Sequence, residues 1–148
     1  MVTVSRFAAV LAAALLAGCA AAAQPERDVG RQSQADGQPD TYTYVLDSSC
    51  GERSLVGRFR IDVVDGAVVA VKGLDDTGRA SVDQGGADEA PTIADLLHEA
   101  ATARRRGADV VVVETTRDGR PTRITIDGET EAYDDEVCYV ISDVAETR

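Results

Sequence analysis

The sequence predicts an α+β fold, an antiparallel sheet of about five to six strands with one amphipathic helix packed on one face. Three observations carry that expectation. Residues 42–71 alternate apolar and polar side chains and turn back at Asp65-Gly66, the pattern of a strand hairpin. Residues 92–107 repeat their apolar positions with the period of a helix. Residues 110–144 return to short apolar runs broken by turns. The resulting order is β-β-β-α-β-β-β.

The elements follow in turn. "TYTYVL" places Tyr42, Tyr44 and Leu46 on one face of a first strand. In "GRFRIDVVDG", Phe59, Ile61 and Val63 face inward, and Arg58, Arg60 and Asp62 face water. Asp and Gly tolerate positive φ, so Asp65-Gly66 turns the chain into the return strand "AVVAV". Leu74 to Ala90 is polar and carries Gly78, Gly85 and Gly86, which reads as a loop. A helix then starts after Pro91. Thr92 and Asp95 have capping-box spacing, and Ile93, Leu96, Leu97, Ala100 and Ala101 form its apolar stripe. Arg104, Arg105 and Arg106 complement the negative end of the helix dipole, and Gly107 suits the cap. The same triplet has a competing reading as an anion site, which the cap explains without a ligand. "DVVVVETT" is a strand that, apolar on both faces, is expected at the centre of the sheet. Asp118-Gly119 turns into "PTRITID", where Thr122, Ile124 and Ile126 alternate, Gly128 to Glu136 forms an acidic loop, and Val137 to Val144 is the last strand.

Composition bounds the function. With 148 residues the chain has room for one ordinary domain, and with 4% aromatics its core must rest on aliphatic side chains. The net charge of −11 argues against a phosphate-binding surface, so no nucleic-acid partner is expected. It also argues against electrostatic docking on anionic lipid.

The N-terminus places the protein in the cell. Arg6 precedes an apolar stretch, Phe7 to Ala17, which is too short for a bilayer span of about 20 residues but suits a signal-peptide core. It ends in Leu16-Ala17-Gly18-Cys19, an aliphatic residue, two small residues and a cysteine. That is a lipobox, in which the Cys19 thiol takes a diacylglycerol group and cleavage leaves it as the new N-terminus. An ordinary signal cut near Ala20–Ala23 and a retained membrane helix are the competing readings. The expected organisation is a signal peptide over 1–18, a disordered tether over 19–40 and one domain over 41–148. Removing residues 1–18, which hold Arg6 and no carboxylate, takes the charge from −11 to −12. The tether has Val29 as its only large aliphatic residue and cannot bury a core. As a flexible coil it spans roughly 25 Å. Localisation is therefore expected at the outer side of the cell membrane, held by lipid.

No residue set reads as catalytic. His98 is the only histidine, and at about 100° per residue it points away from the Ile93 stripe. No glycine loop matches a nucleotide site, and no Cys or His spacing suggests zinc. The acidic stretches "DQGGADE" and "DGETEAYDDE" lack the spacing of a calcium loop and read as solvated loops. No enzyme activity, metal or cofactor is expected.

"YTYVLDSSC", "VVDGAVVAV", "APTIADLL", "GADVVVVE", "GRPTRITID" and "DDEVCYVISD" occur in an order that resembles domain-of-unknown-function family 6174. Its members are small secreted or lipid-anchored bacterial proteins. The resemblance covers about Thr41 to Val144 and implies no activity. Many members are expected to carry a further cysteine shortly after the first, where this chain has Gly51-Glu52.

With Cys19 taken by lipid, Cys50 and Cys138 remain as a disulfide pair in an oxidising compartment. The alternative is two free thiols packed as small apolar residues. One difficulty attends the bridge. Counting by twos from Tyr42 puts Cys50 on the inward face, whereas Cys138 is out of phase with the inward Val137, Tyr139 and Ile141, so a bulge or twist must reconcile them. The expected function is a non-catalytic envelope module that binds or senses, with an unidentified protein as possible partner. The alternative is an inhibitor or accessory subunit of a secreted enzyme.

Overall fold

The computed structural model describes residues 39–147 apart from Glu52 and Tyr133. The segment expected to be a signal peptide, Cys19 and the part of the expected tether up to residue 38 lie outside the described residues. Six strands form one sheet: β1 (Tyr42–Ser49), β2 (Gly57–Val64), β3 (Ala67–Gly73), β4 (Val110–Thr115), β5 (Pro121–Asp127) and β6 (Val137–Glu146). Their spatial order is β3-β2-β1-β6-β5-β4, and every neighbouring pair is antiparallel. Two three-stranded meanders thus meet where β1 pairs with β6. Between them in sequence come α1 (Asp76–Asp83), a short 3-10 turn (Gly86–Glu89) and α2 (Ile93–Arg106).

The inward face follows the alternation read from the sequence. Tyr42, Tyr44 and Leu46 of β1, Phe59, Ile61 and Val63 of β2, and Ile124, Ile126, Val137, Tyr139 and Ile141 of β5 and β6 are buried together. Ile93, Leu96 and Ala100 of α2 close over them. The capping box is present: Thr92 Oγ1 accepts from the Asp95 N–H at 3.1 Å, and Asp95 Oδ2 accepts from the Thr92 N–H at 2.9 Å. Gly107 ends the helix at φ 83°, after Arg104 to Arg106. Two tyrosine hydroxyls fix its start to the sheet. Tyr42 Oη accepts from the Ile93 N–H at 3.0 Å, and the Tyr44 hydroxyl donates to the Pro91 carbonyl. Each phenol buries its ring and finds a partner for its polar tip.

Two sequence expectations need correction. Leu74 to Ala90 is not a plain loop, because α1 and the 3-10 turn lie within it. The helix escapes periodicity because its packing face is small. Its buried residues are Gly78 and Ser81, and no large apolar stripe marks it. It approaches the sheet backbone to backbone. A Cβ on Gly73 would lie 2.3 Å from the Arg79 nitrogen, and one on Gly57 2.4 Å from the Gly78 nitrogen. Asp75 caps it, accepting from the Gly78 N–H at 2.6 Å. The second correction concerns the valine strand. β4 is an edge strand, paired with β5 alone among the described residues. Val111 and Val113 face the core side, while Val112 is 43% exposed on the other.

The Cys50–Cys138 disulfide is formed, with Cα atoms 5.4 Å apart. The phase conflict resolves at the end of β1. Ser49 pairs with Cys138 in register, and Cys50 leaves the strand at φ 67°. That left-handed residue breaks the alternation and brings its side chain to the sheet face that Cys138 occupies.

Candidate functional site

In the segment between β1 and β2, Arg53, Ser54 and Leu55 form the front wall of a pocket of about 690 Å³. The disulfide pins one end of this segment. Gly51 then packs so closely on the opposite loop that a Cβ there would lie 2.3 Å from the Glu136 carbonyl oxygen. Arg53, Ser54 and Leu55 face the pocket from this wall, and Ser48 and Tyr139 form its floor from β1 and β6. Glu99 of α2, Pro91 before it and Glu89 of the 3-10 turn supply the remaining side.

Five polar side chains of the pocket, Arg53, Glu99, Tyr139, Ser54 and Glu89, are paired with one another. The Arg53 guanidinium bonds Glu99 Oε1 at 2.6 Å, donates to the Tyr139 hydroxyl, and lies 5.2 Å from the centre of the Tyr139 ring. The Tyr139 hydroxyl donates in turn to Glu99 Oε2 at 3.0 Å. Arginine, carboxylate and phenol thus form a closed triangle, with the guanidinium attracted to both the ring and the carboxylate. Ser54 donates to Glu89 Oε2 at 2.7 Å. Burial is the main reason the Tyr139 phenol is pushed above its ordinary range, and the neighbouring Glu99 charge adds to it. A neutral phenol with both hydrogen-bonding roles filled is a fixed donor and acceptor.

A second pocket, of about 760 Å³, lies beyond α2, where His98, Arg106, Asp109, Ile126 and Asp135 meet. His98 is exposed, as its helical position predicts. The acidic loop bends around its own carboxylate: Asp135 Oδ2 accepts from the Glu129 N–H at 2.8 Å. Its other oxygen, with one from Asp127, is buried without a hydrogen-bond partner among the described residues. The described residues bring one trio of possible metal-ligating groups together, Cys50, Glu136 and Cys138. Both of its sulfurs are consumed by the disulfide, so the trio offers no thiolate. The arginine triplet ends α2 in exposed positions, where Arg105 bonds Thr102 at 2.7 Å and Arg104 reaches the Val111 carbonyl at 3.4 Å.

Residues 29–146 match the model of a family of unknown function (DUF6174). The chain belongs to this family. No curated protein and no solved structure matches it. Family membership agrees with the ordered motifs from Thr41 to Val144. It leaves the pocket to be read from geometry alone.

Of the residues singled out from sequence, Cys50 and Cys138 are brought together, and they anchor the pocket wall. His98 stands apart from that wall, and Cys19 lies outside the described residues. Arg53, Glu99 and Tyr139 were not singled out. One signal existed for Tyr139: a tyrosine at an inward strand position needs a partner for its hydroxyl. Nothing in the sequence near Arg53 or Glu99 names them as that partner, since they lie 86 and 40 residues away.

Proposed function

We propose that the protein is a non-catalytic binding module of the cell envelope, carried on a lipid at Cys19, with the Arg53–Glu99–Tyr139 pocket as its ligand site. The observation that carries this reading is the pairing inside the pocket. Its guanidinium, phenol and carboxylates hold one another in fixed positions, as a recognition surface requires. Catalysis would instead ask for a nucleophile beside a base with an orienting partner. The described pocket offers two serine positions and no histidine, and Ser54 donates to a carboxylate on the protein's own surface. The lipobox and the disulfide both suit a place outside the membrane.

The test is capture from envelope extract on the immobilised soluble domain, residues 25–148. A specific component should be retained by the wild type and by His98→Ala, and lost with Arg53→Ala. Retention of a secreted hydrolase as sole partner, with that hydrolase inhibited, would replace this reading with the inhibitor one. A turnover in hydrolase or oxidoreductase screens that disappears with His98→Ala would overturn it.

A further inference from the structure

We infer that β4 is a docking edge for an extended, acidic segment of a partner protein, which would pair with it as a seventh strand. Sheet edges are normally defended by charge, bulges or cover, because unpaired N–H and C=O groups invite another strand. The opposite edge strand, β3, leaves Val69 60% exposed, but it carries Lys72 and its pairing with β2 shifts register at Asp62/Val63. β4 carries four consecutive valines, and its register breaks only past them, at Glu114/Thr115. The bond from the Asp109 N–H to the Gly128 carbonyl, at 3.1 Å, sets the alternation along the β4–β5 pair. Val111 and Val113 therefore exchange bonds with β5, while the N–H and C=O groups of Val110 and Val112 point away from it. Val112 also shows 43% of its surface. The valine run that reads as a central strand thus has a central strand's composition at an edge position.

Charge selects the occupant. The chain carries −11 overall, yet residues 104–123 hold six arginines against Asp109, Glu114 and Asp118. Arg104 reaches β4 from the end of α2, at 3.4 Å from the Val111 carbonyl, which is turned toward β5, and Arg117 lies in the turn that leaves the far end of the strand. Arg104, Arg106 and Arg117 are exposed and have no carboxylate partner among the described residues. An extended segment that alternates apolar and acidic side chains fits both features. Its backbone pairs with Val110 and Val112, and its carboxylates meet the arginines. A second copy of this chain is a poorer fit, because two copies would bring the same arginines together edge to edge.

The experiment uses the full chain in detergent and two labelled peptides of about eight residues each, alternating Val with Glu or Val with Lys. Fluorescence anisotropy should show binding of the acidic peptide and at least tenfold weaker binding of the basic one. Affinity for the acidic peptide should fall several-fold as ionic strength rises from about 0.05 to about 0.5 M. Val112→Pro should reduce it at least tenfold, because proline removes an edge donor and is tolerated where the N–H faces solvent. The double variant Arg104→Glu with Arg117→Glu keeps the strand intact and should do the same. Equal binding of both peptides, no binding of either, or an unchanged affinity in both variants overturns the proposal. So does a dimer of the wild type that Val112→Pro dissolves, since the edge would then belong to a second copy.

Discussion

Tyr139 shows how one side chain ties sheet, helix and loop together. Its ring lies under the Arg53 guanidinium, and its hydroxyl bridges Arg53 and Glu99. Tyr139→Phe keeps the ring and removes the bridge, so the domain should lose about 1–2 kcal/mol in denaturant melts while Arg53 and Glu99 stay paired. A ligand that depends on the phenol holding Arg53 in place should bind the variant more weakly. Burial also raises the ordinary ionisation range of Tyr44 and Tyr139. The unfolded chain ionises these phenols above about pH 10, whereas the folded chain resists doing so. Stability is therefore full below pH 10 and lost as pH rises beyond it, and urea midpoints taken between about pH 8 and 11 should show that fall. Asp75 acts at the other end of the scale. Its carboxyl is held below its usual range by N–H groups of Gly78 and Arg58. Its contribution is present above about pH 4 and fades as pH drops through the lowered value. The disulfide is the strongest constraint at this scale. It closes a loop of 88 residues, worth roughly 4–5 kcal/mol by chain entropy. Thiol titration of the soluble domain should find no free thiol before reduction and two after reduction and unfolding. Two free thiols in the unreduced domain would contradict the bridge.

At the scale of elements, the two helices hold by different means. α2 was legible because its stripe is large and its ends are marked, from Thr92 and Asp95 to Gly107. Thr92→Ala should cost about 1 kcal/mol in thermal or urea unfolding. α1 was not legible, because its contact with the sheet rests on glycines and a serine instead of leucines. Gly73→Ala tests this, since the added methyl would meet the Arg79 backbone at 2.3 Å. The variant should lose about 1–3 kcal/mol, the range for overpacking, and a neutral result would mean that α1 does not dock as described. Strand alternation gave the inward residues of β1, β2, β5 and β6, because each has one buried face and side chains repeat every two residues. The position of β4 in the sheet could not be read the same way. Its valines satisfy either a central strand or an edge with a partner, and only pairing distinguishes the two. The disulfide's awkward phase was legible as a problem. Its solution, a left-handed Cys50, was not, because single-residue φ values leave no trace in apolar periodicity.

For the whole molecule, the proposed lipid at Cys19 and tether would carry a domain that offers a pocket at one end of the sheet. Cys19→Ala should release the protein from membranes or leave the precursor uncleaved, as fractionation and N-terminal mass would report. Unchanged processing would remove the lipid from the account. The pocket was the least legible feature, since its three central residues come from a loop, a helix and a distant strand. The central claim is that this pocket binds without converting what it binds. Native mass spectrometry of the soluble domain after exposure to an envelope small-molecule fraction tests it most directly. The account predicts one bound species, recovered chemically unchanged and absent from Arg53→Ala. A species recovered altered, or one that Arg53→Ala retains in full, would contradict it.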